Sequence, residues 1–334
     1  MYVDDFLLSG PEQNLAKGWK AITKVLTCED PTELGRYLAC QHECFVKDHQ
    51  KVVSYDMEAY MKQCVERYCE VAGTDKIKLV PSPFINEDTL LPSDFESKGL
   101  LGDDACSVLM KLLYAARLAR PDIMRAITEL ASCITKWTVA CDKKLYRLIC
   151  YIHSTHKLRL QGKCSLKPEN LELNLFVDAD FAGDKDSSKS TNGFFMALIG
   201  DNTFLPLGWS SKKQSCVAHS TTEAEIVAAD YGLKSEAIPV LTLWEMLLDK
   251  PKIIKIREDN TAAAKIMQSG YSPQLRYLSR TQRVDISWIH GIIEDKLAEV
   301  IITPTKEQVA DVFTKPLEVC KWEDAVRMLN MFRC

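Results

Sequence analysis

The chain has 334 residues, of which 46% are hydrophobic and 26% charged, with a formal net charge of −4. This is the composition of an ordinary globular chain with a sizeable core and two or three domains, and it excludes a protein coated in positive charge, so contact with nucleic acid would need local basic clusters. No secretory leader or spanning apolar run is legible, so no membrane partner is expected, and thirteen irregularly spaced cysteines point to reduced thiols in a cytoplasmic or nuclear setting.

Residues 1–10, MYVDDFLLSG, predict a strand, a tight turn at Asp4-Asp5 and a second strand. From Pro11 the spacing of Leu15, Trp19, Ile22 and Leu26 predicts a helix, followed by extended segments at Tyr37–Cys40 and Val52–Tyr55 and a helix from about Asp56 to Gly73. Cys40, Cys44, Cys64 and Cys69 lie near His42 and His49, but their spacings match no zinc pattern and read as structural thiols. Residues 74–100, interrupted by Pro81, Pro83 and Pro92, predict a linker. Three helices are expected next, carrying Val108–Ala116, Ile123–Ile134 and Leu145–Ile152, and the polar stretch Gln161–Asn170 reads as a break.

From residue 171 the period changes to two, with Asp178 and Asp180 on one face of a strand, and residues 171–215 predict a three-stranded antiparallel meander. A helix from about Thr222, with Thr222 and Glu225 at capping-box spacing, leads to a second helix ending near Leu248. A strand at Ile253–Ile256, an alanine-rich helix from Asn260, a strand at Val300–Ile302 and a last helix opened by Thr305 and Gln308 complete an α/β pattern.

In this layout Asp178, Glu225, Asp259 and Asp311 fall at element ends or helix faces that meet at one edge of the sheet. Four carboxylates in one site repel by about 4 kcal/mol per pair at 4 Å with an effective dielectric near 20. Such a site calls for hard divalent cations, Mg²⁺ or Mn²⁺, and two such ions suit hydrolysis of a phosphodiester.

The segments FVDADFAGDKDSSKSTNGF, GWSSKKQSCVAHSTTEAEIVAAD, IREDNTAAAKI and EQVADVFTKPL resemble, in order and spacing, the ribonuclease H domain of copia-type LTR-retrotransposon polyproteins. Upstream, LLYAARLARPDIMRAI resembles the connection between polymerase and nuclease, and YVDDFLLSG resembles the palm hairpin of the reverse transcriptase. The resemblance implies an α/β fold, a ribonuclease H-like mixed sheet flanked by helices, preceded by a truncated palm and thumb and a helical connection. It divides the chain into 1–100, a reverse-transcriptase remnant and linker; 101–170, the connection; 171–317, the nuclease; and 318–334, a tail helix. The implied activity is metal-dependent cleavage of the RNA strand of an RNA–DNA hybrid, inside retroelement particles and alongside upstream polyprotein segments.

By match to the family motifs, Asp178, Glu225, Asp259 and Asp311 carry the catalytic carboxylates and hold two Mg²⁺ or Mn²⁺ ions. Asp4 and Asp5 match a vestigial polymerase metal pair, which lacks its third aspartate in this sequence, so no polymerase activity is expected of the chain alone. Glu223 and Asp180 are neighbours that mimic the site, and Glu225 is preferred because it precedes the small apolar run Ile226–Ala229. The segment Thr303–Lys306 has no histidine where many such domains have one, which predicts slow turnover, and His219 and His290 read as structural. Asn192 is a candidate for sensing a 2′-hydroxyl, and Ser211, Lys212, Lys213, Gln214, Arg276, Arg280 and Arg283 are candidates for phosphate contact. The competing expectation is a retroelement remnant that binds nucleic acid without cleaving it.

Overall fold

The computed structural model describes residues 6–167, 170–184, 187–248 and 252–333. Asp4 and Asp5, with the first half of the expected hairpin, lie outside them. Residues 6–10 form no strand, and Leu8 instead lies over Gly18 of helix α1 (Glu12–Ile22). The short extended segments become β1 (Arg36–Tyr37), β2 (Cys40–Lys47) and β3 (Gln50–Asp56), an antiparallel set. Helix α2 (Glu58–Ala72) ends where Gly73 takes the left-handed conformation at φ 61°.

The proline-rich segment holds only a short turn and α3 (Pro92–Glu96), as the density of prolines requires. The three expected helices follow as α4 (Ala105–Leu118), α5 (Met124–Ser132) and α6 (Val139–Thr155). Between α4 and α5, the wholly buried Arg120 makes a two-pronged pair with Asp122 at 2.9 and 2.8 Å. Thr155 and the Tyr151 hydroxyl complete its surroundings, so the charge is buried with partners rather than alone.

One correction concerns Gln161–Asn170. Its first half belongs to β4 (Leu158–Ser165), in which Leu158, Leu160 and Gly162 are buried and alternate with half-exposed polar residues. The alternation is too weak in apolar content to announce a strand; β4 is selected by pairing with β3 along Tyr55↔Leu160 to Gln50↔Ser165.

The meander is β5 (Glu172–Asp180), β6 (Thr191–Gly200) and β7 (Thr203–Lys213). Helix α7 (Thr221–Gly232) follows and runs through a π-helical turn into α8 (Ile238–Leu248). Then come β8 (Ile254–Glu258), α9 (Thr261–Ser269), α10 (Leu278–Thr281), α11 (Ile286–Glu294) and β9 (Ala298–Ile302). The expected last helix is shorter than its pattern, a turn at Thr305–Glu307 and then α12 (Asp311–Thr314). The chain closes with α13 (Val319–Met328) and β10 (Met331–Arg333).

Among the described residues the strands join in one sheet, ordered β1-β2-β3-β4-β7-β6-β5-β8-β9, with β10 also pairing β4. In its second half β7, β6 and β5 are antiparallel while β8 and β9 add in parallel, the ribonuclease H-like mixed sheet that the motifs lead one to expect. Both faces of β5 and β6 are covered, which is why their burial is almost continuous. Leu173, Leu175, Val177, Phe194 and Met196 pack with α7, α9 and α11 in one core. On the other face Phe176, Phe195 and Ala197 pack with α4, α5, α6, α12 and α13 in a second core that extends to Met61 of α2.

Candidate metal-binding carboxylate site

Asp178 lies near the carboxyl end of the central strand β5, paired with Gly193 of β6, and is 1% exposed. Asp259 follows the carboxyl end of the adjacent parallel strand β8, so the two arrive at the same edge of the sheet. Open α/β sheets form their binding crevices at this edge. Gln308 holds the edge together: it is fully buried, and its side-chain amide donates to the carbonyls of Val177 at 2.9 Å and Arg257 at 3.1 Å. The expected capping role of Gln308 with Thr305 is thus replaced by a bridge between two strand ends.

Glu225 comes from α7. The cap of that helix is Ser220, whose side chain accepts from the Glu223 amide at 3.1 Å, while the Glu223 carboxylate accepts from the His219 amide at 2.8 Å. The cap is therefore Ser220, with Glu223 reaching back to the amide before it, and not Thr222 with Glu225. Glu223 is further tied to the Tyr277 hydroxyl at 2.7 Å, which leaves Glu225 free to face the strand ends. Carboxylate oxygens of Asp178, Glu225 and Asp259 lie within 4.8 Å of one another. Among the described residues no other group of histidine, cysteine or acidic side chains has this geometry, and the cysteines around His42 and His49 form none.

The electrostatics follow from this crowding. Burial first, and then the carboxylates of Asp178, Glu258 and Asp259, push Glu225 up to about 11, and its Oε2 is buried without a hydrogen-bond partner. Glu258, which sequence reasoning passed over beside Asp259, is fully buried; burial raises it to about 8, and its Oε2 is also unpartnered. Its only sequence signal was an acidic residue ending an apolar strand. Asp180 shares the face of Asp178 and is raised by its own burial.

Asp311 stands one step away from the triad. Lys315, one helical turn on, donates to Asp311 Oδ1 at 2.7 Å and to Asp178 Oδ1 at 3.0 Å, and so bridges the two carboxylates. Burial and Asp178 together push Asp311 up to about 6, with Lys315 acting against them. Burial opposes the charge on Lys315, but Asp178 and Asp311 outweigh it and raise the ammonium above the usual lysine range. The other oxygen of Asp178 accepts from the Thr314 hydroxyl, and Asp259 accepts from Thr305 at 2.9 Å. Neither Lys315 nor Thr314 was singled out from the sequence, although both lie in the segment FTKPL that follows Asp311.

The expected substrate contacts are only partly arranged as a surface. Asn192 and Gln214 are buried and bonded to each other at 2.6 Å, and Ser211 is buried against Thr128. The polar edge after Trp209 therefore narrows to Lys212, which sits 5.0 Å from the centre of the Tyr231 ring, and Lys213, which is paired with Asp184. The expected helical face of Arg276, Arg280 and Arg283 is broken, because a turn at Pro273–Leu275 precedes α10 and Arg283 is left-handed at φ 57°. Of the two structural histidines, His219 packs edge-on to Tyr277, and His290 lies against Gly270.

All donors in the cluster are carboxylate oxygens, one of them, on Glu225, buried and unpartnered, a set that fits a hard divalent cation. No helix among the described residues is long and apolar enough to cross a membrane.

No protein-family model matches the chain. It is 25% identical, over 99% of its length, to the retrovirus-related Pol polyprotein from transposon TNT 1-94 of Nicotiana tabacum, and 26% identical, over its full length, to that from transposon RE1 of Arabidopsis thaliana. The chain spans 24% and 21% of the length of these two relatives. Among solved structures, a ribonuclease H1 isolated from compost is similar over 43% of this chain and 92% of its own, with 14% identity and a TM-score of 0.29. Over its whole length, therefore, the chain is similar to retrovirus-related Pol polyproteins of transposons.

Proposed function

We propose that this chain carries a ribonuclease H that hydrolyses the RNA strand of RNA–DNA hybrids with divalent metal ions. The observation that carries the reading is the convergence of Asp178, Glu225 and Asp259, with a buried, unpartnered oxygen on Glu225. Carboxylates at this density in a buried edge are a poor structural choice and a good cation cage. Asp178, Glu225 and Asp259 would hold one ion; a second ion between Asp178 and Asp311 would have to displace the Lys315 ammonium that bridges them. Bound there, the ions supply a water of lowered pKa and stabilise charge on the leaving 3′-oxygen.

The chain's own groups have separable tasks. Thr314 and Lys315 orient Asp178, Thr305 orients Asp259, and Gln308 fixes the separation of the strand ends that bear them. Lys212, Lys213 and Arg280 offer cationic groups for the phosphates of a hybrid, which would make binding salt-dependent. The test is cleavage of a labelled RNA–DNA hybrid with Mg²⁺ by the full chain and by Asp259→Asn. Metal-dependent cleavage that the variant loses is the expected result. Salt-sensitive hybrid binding with no cleavage by the parent chain would select a non-catalytic binding protein, and equal cleavage by both chains would overturn the reading.

A further inference from the structure

Helix α12 carries the contacts that hold Asp178, yet it has only four residues, too few for a helix to be stable by its own hydrogen bonds. Its packing is fixed by Phe313, stacked on Phe195 at 6.1 Å, and by the close approach of Thr314 to Gly193. Those contacts set where the helix lies. They leave open the direction of its last peptide, which governs how Thr314 and Lys315 reach Asp178.

That direction is set from another part of the chain. Arg125 of α5 donates through Nε to the Thr314 carbonyl at 2.8 Å. A cation on the terminal carbonyl of a helix is a favourable, charge-assisted cap. Arg125 is 8% exposed and its own position is fixed: Nη1 donates to Glu129 at 3.0 Å, Glu129 accepts from Lys144 at 2.7 Å, and Lys144 donates to Glu87 at 2.7 Å. The Thr314 side chain is fully buried, and its hydroxyl points to Asp178. A continuous polar chain therefore runs from the proline-rich segment through α6 and α5 to the first carboxylate of the site.

We propose that Arg125 is a positioning residue for the carboxylate site, its cap on Thr314 setting the direction from which Thr314 and Lys315 hold Asp178. The inference rests on the metal-dependent reading above. It makes a residue outside the nuclease part of the sheet a determinant of metal affinity and turnover, although it touches neither metal nor substrate.

The experiment uses the full chain, with Mn²⁺ binding followed by electron paramagnetic resonance alongside kcat and KM for a hybrid. In Arg125→Met both Mn²⁺ affinity and kcat should fall by about 10- to 100-fold, the range for groups that orient metal ligands, with KM for the hybrid unchanged. Arg125→Lys, which keeps a cationic donor, should recover most of the loss. Thr314→Val should reproduce it, and the double variant should be no worse than either single one, because both break the same chain of contacts. Circular dichroism establishes that each variant is folded, and Arg125→Gln takes the place of Arg125→Met should the latter not fold. A folded Arg125 variant with parental Mn²⁺ affinity and kcat would overturn the proposal, as would full additivity with Thr314→Val. If the parent chain neither binds Mn²⁺ nor cleaves, the nuclease reading itself fails, and the role of Arg125 falls with it.

Discussion

Glu225 holds a proton that the unfolded chain would have lost. Its folded value is about 11 against an ordinary 4.5, and Glu258 stands at about 8 against the same 4.5. A carboxyl raised on folding contributes stability that is complete below the unfolded value and is lost as the pH climbs toward the folded one. Between about pH 5 and pH 8 the metal-free chain should therefore lose stability steadily as the pH rises, because the folded state binds more protons than the unfolded one. Glu225→Gln replaces the protonated acid with a neutral isostere, so its melting temperature without metal should fall less steeply over this range and lie above the parent's at pH 8. Under the proposed function the same variant would also remove a metal ligand, and hybrid cleavage should drop at least about a hundredfold, since bound metal contributes several kcal/mol to the transition state. Melting curves at a series of pH values, with one cleavage assay, check both halves. A variant less stable than the parent at pH 8 would remove the argument that burial and the neighbouring carboxylates keep Glu225 protonated.

At the scale of elements, the site depends on how closely short pieces approach the sheet. A Cβ on Gly193 would lie 2.6 Å from Thr314 Cγ2 and 3.0 Å from both the Ala310 carbonyl and Phe313 Cβ. Gly193 is thus the position at which α12 comes down onto β6, opposite Asp178 in the strand pairing. Gly193→Ala should destabilise the fold by about 1–3 kcal/mol through overpacking and displace α12 from Asp178. Urea denaturation should register the first effect, and weakened Mn²⁺ binding the second. Destabilisation without any change in Mn²⁺ binding would mean that the backbone of β6, rather than α12, yields. Helix α7 has a comparable division of labour: Ser220 and Glu223 make the cap, and the next turn delivers Glu225.

At the scale of the whole molecule, the second half of the sheet is built against the helices that precede it. Phe195 stacks on Phe204, Trp209 and Phe313, and the Trp209 indole donates to the Ala116 carbonyl of α4 at 2.7 Å. Trp322 of α13 reaches Tyr151 of α6 at 3.2 Å, and β10 pairs with β4, so the tail of the chain closes over the same core. A fragment of residues 171–317 would expose this aromatic face, a patch of the kind that drives association. It should be insoluble or lack fixed tertiary structure, as judged by near-ultraviolet circular dichroism and amide dispersion in NMR spectra. A fragment that unfolds cooperatively, with native-like dispersion, would show that this part of the chain is self-sufficient.

Much of this was legible before any coordinates. The period-two run around Asp178, the apolar strand ending at Asp259 and the alanine-rich helix opened by Asn260 gave the succession of elements in the second half of the chain. Local pattern suffices there because central strands and amphipathic helices carry their burial in their own spacing. The weakly patterned strand β4 was not legible, since its burial comes from partners more than a hundred residues away in β3 and others in β7 and β10. The sequence by itself determined which carboxylates are available and on which elements they ride. Only the tertiary structure decided that Glu223 is consumed by a cap, that Glu258 is buried beside the cluster, that Asn192 and Gln214 turn inward, that Lys315 bridges Asp178 and Asp311, and that the distant Arg125 meets the Thr314 carbonyl. The physical reason is that side-chain hydrogen bonds and desolvation depend on which surfaces meet across the sheet, and no local periodicity records that.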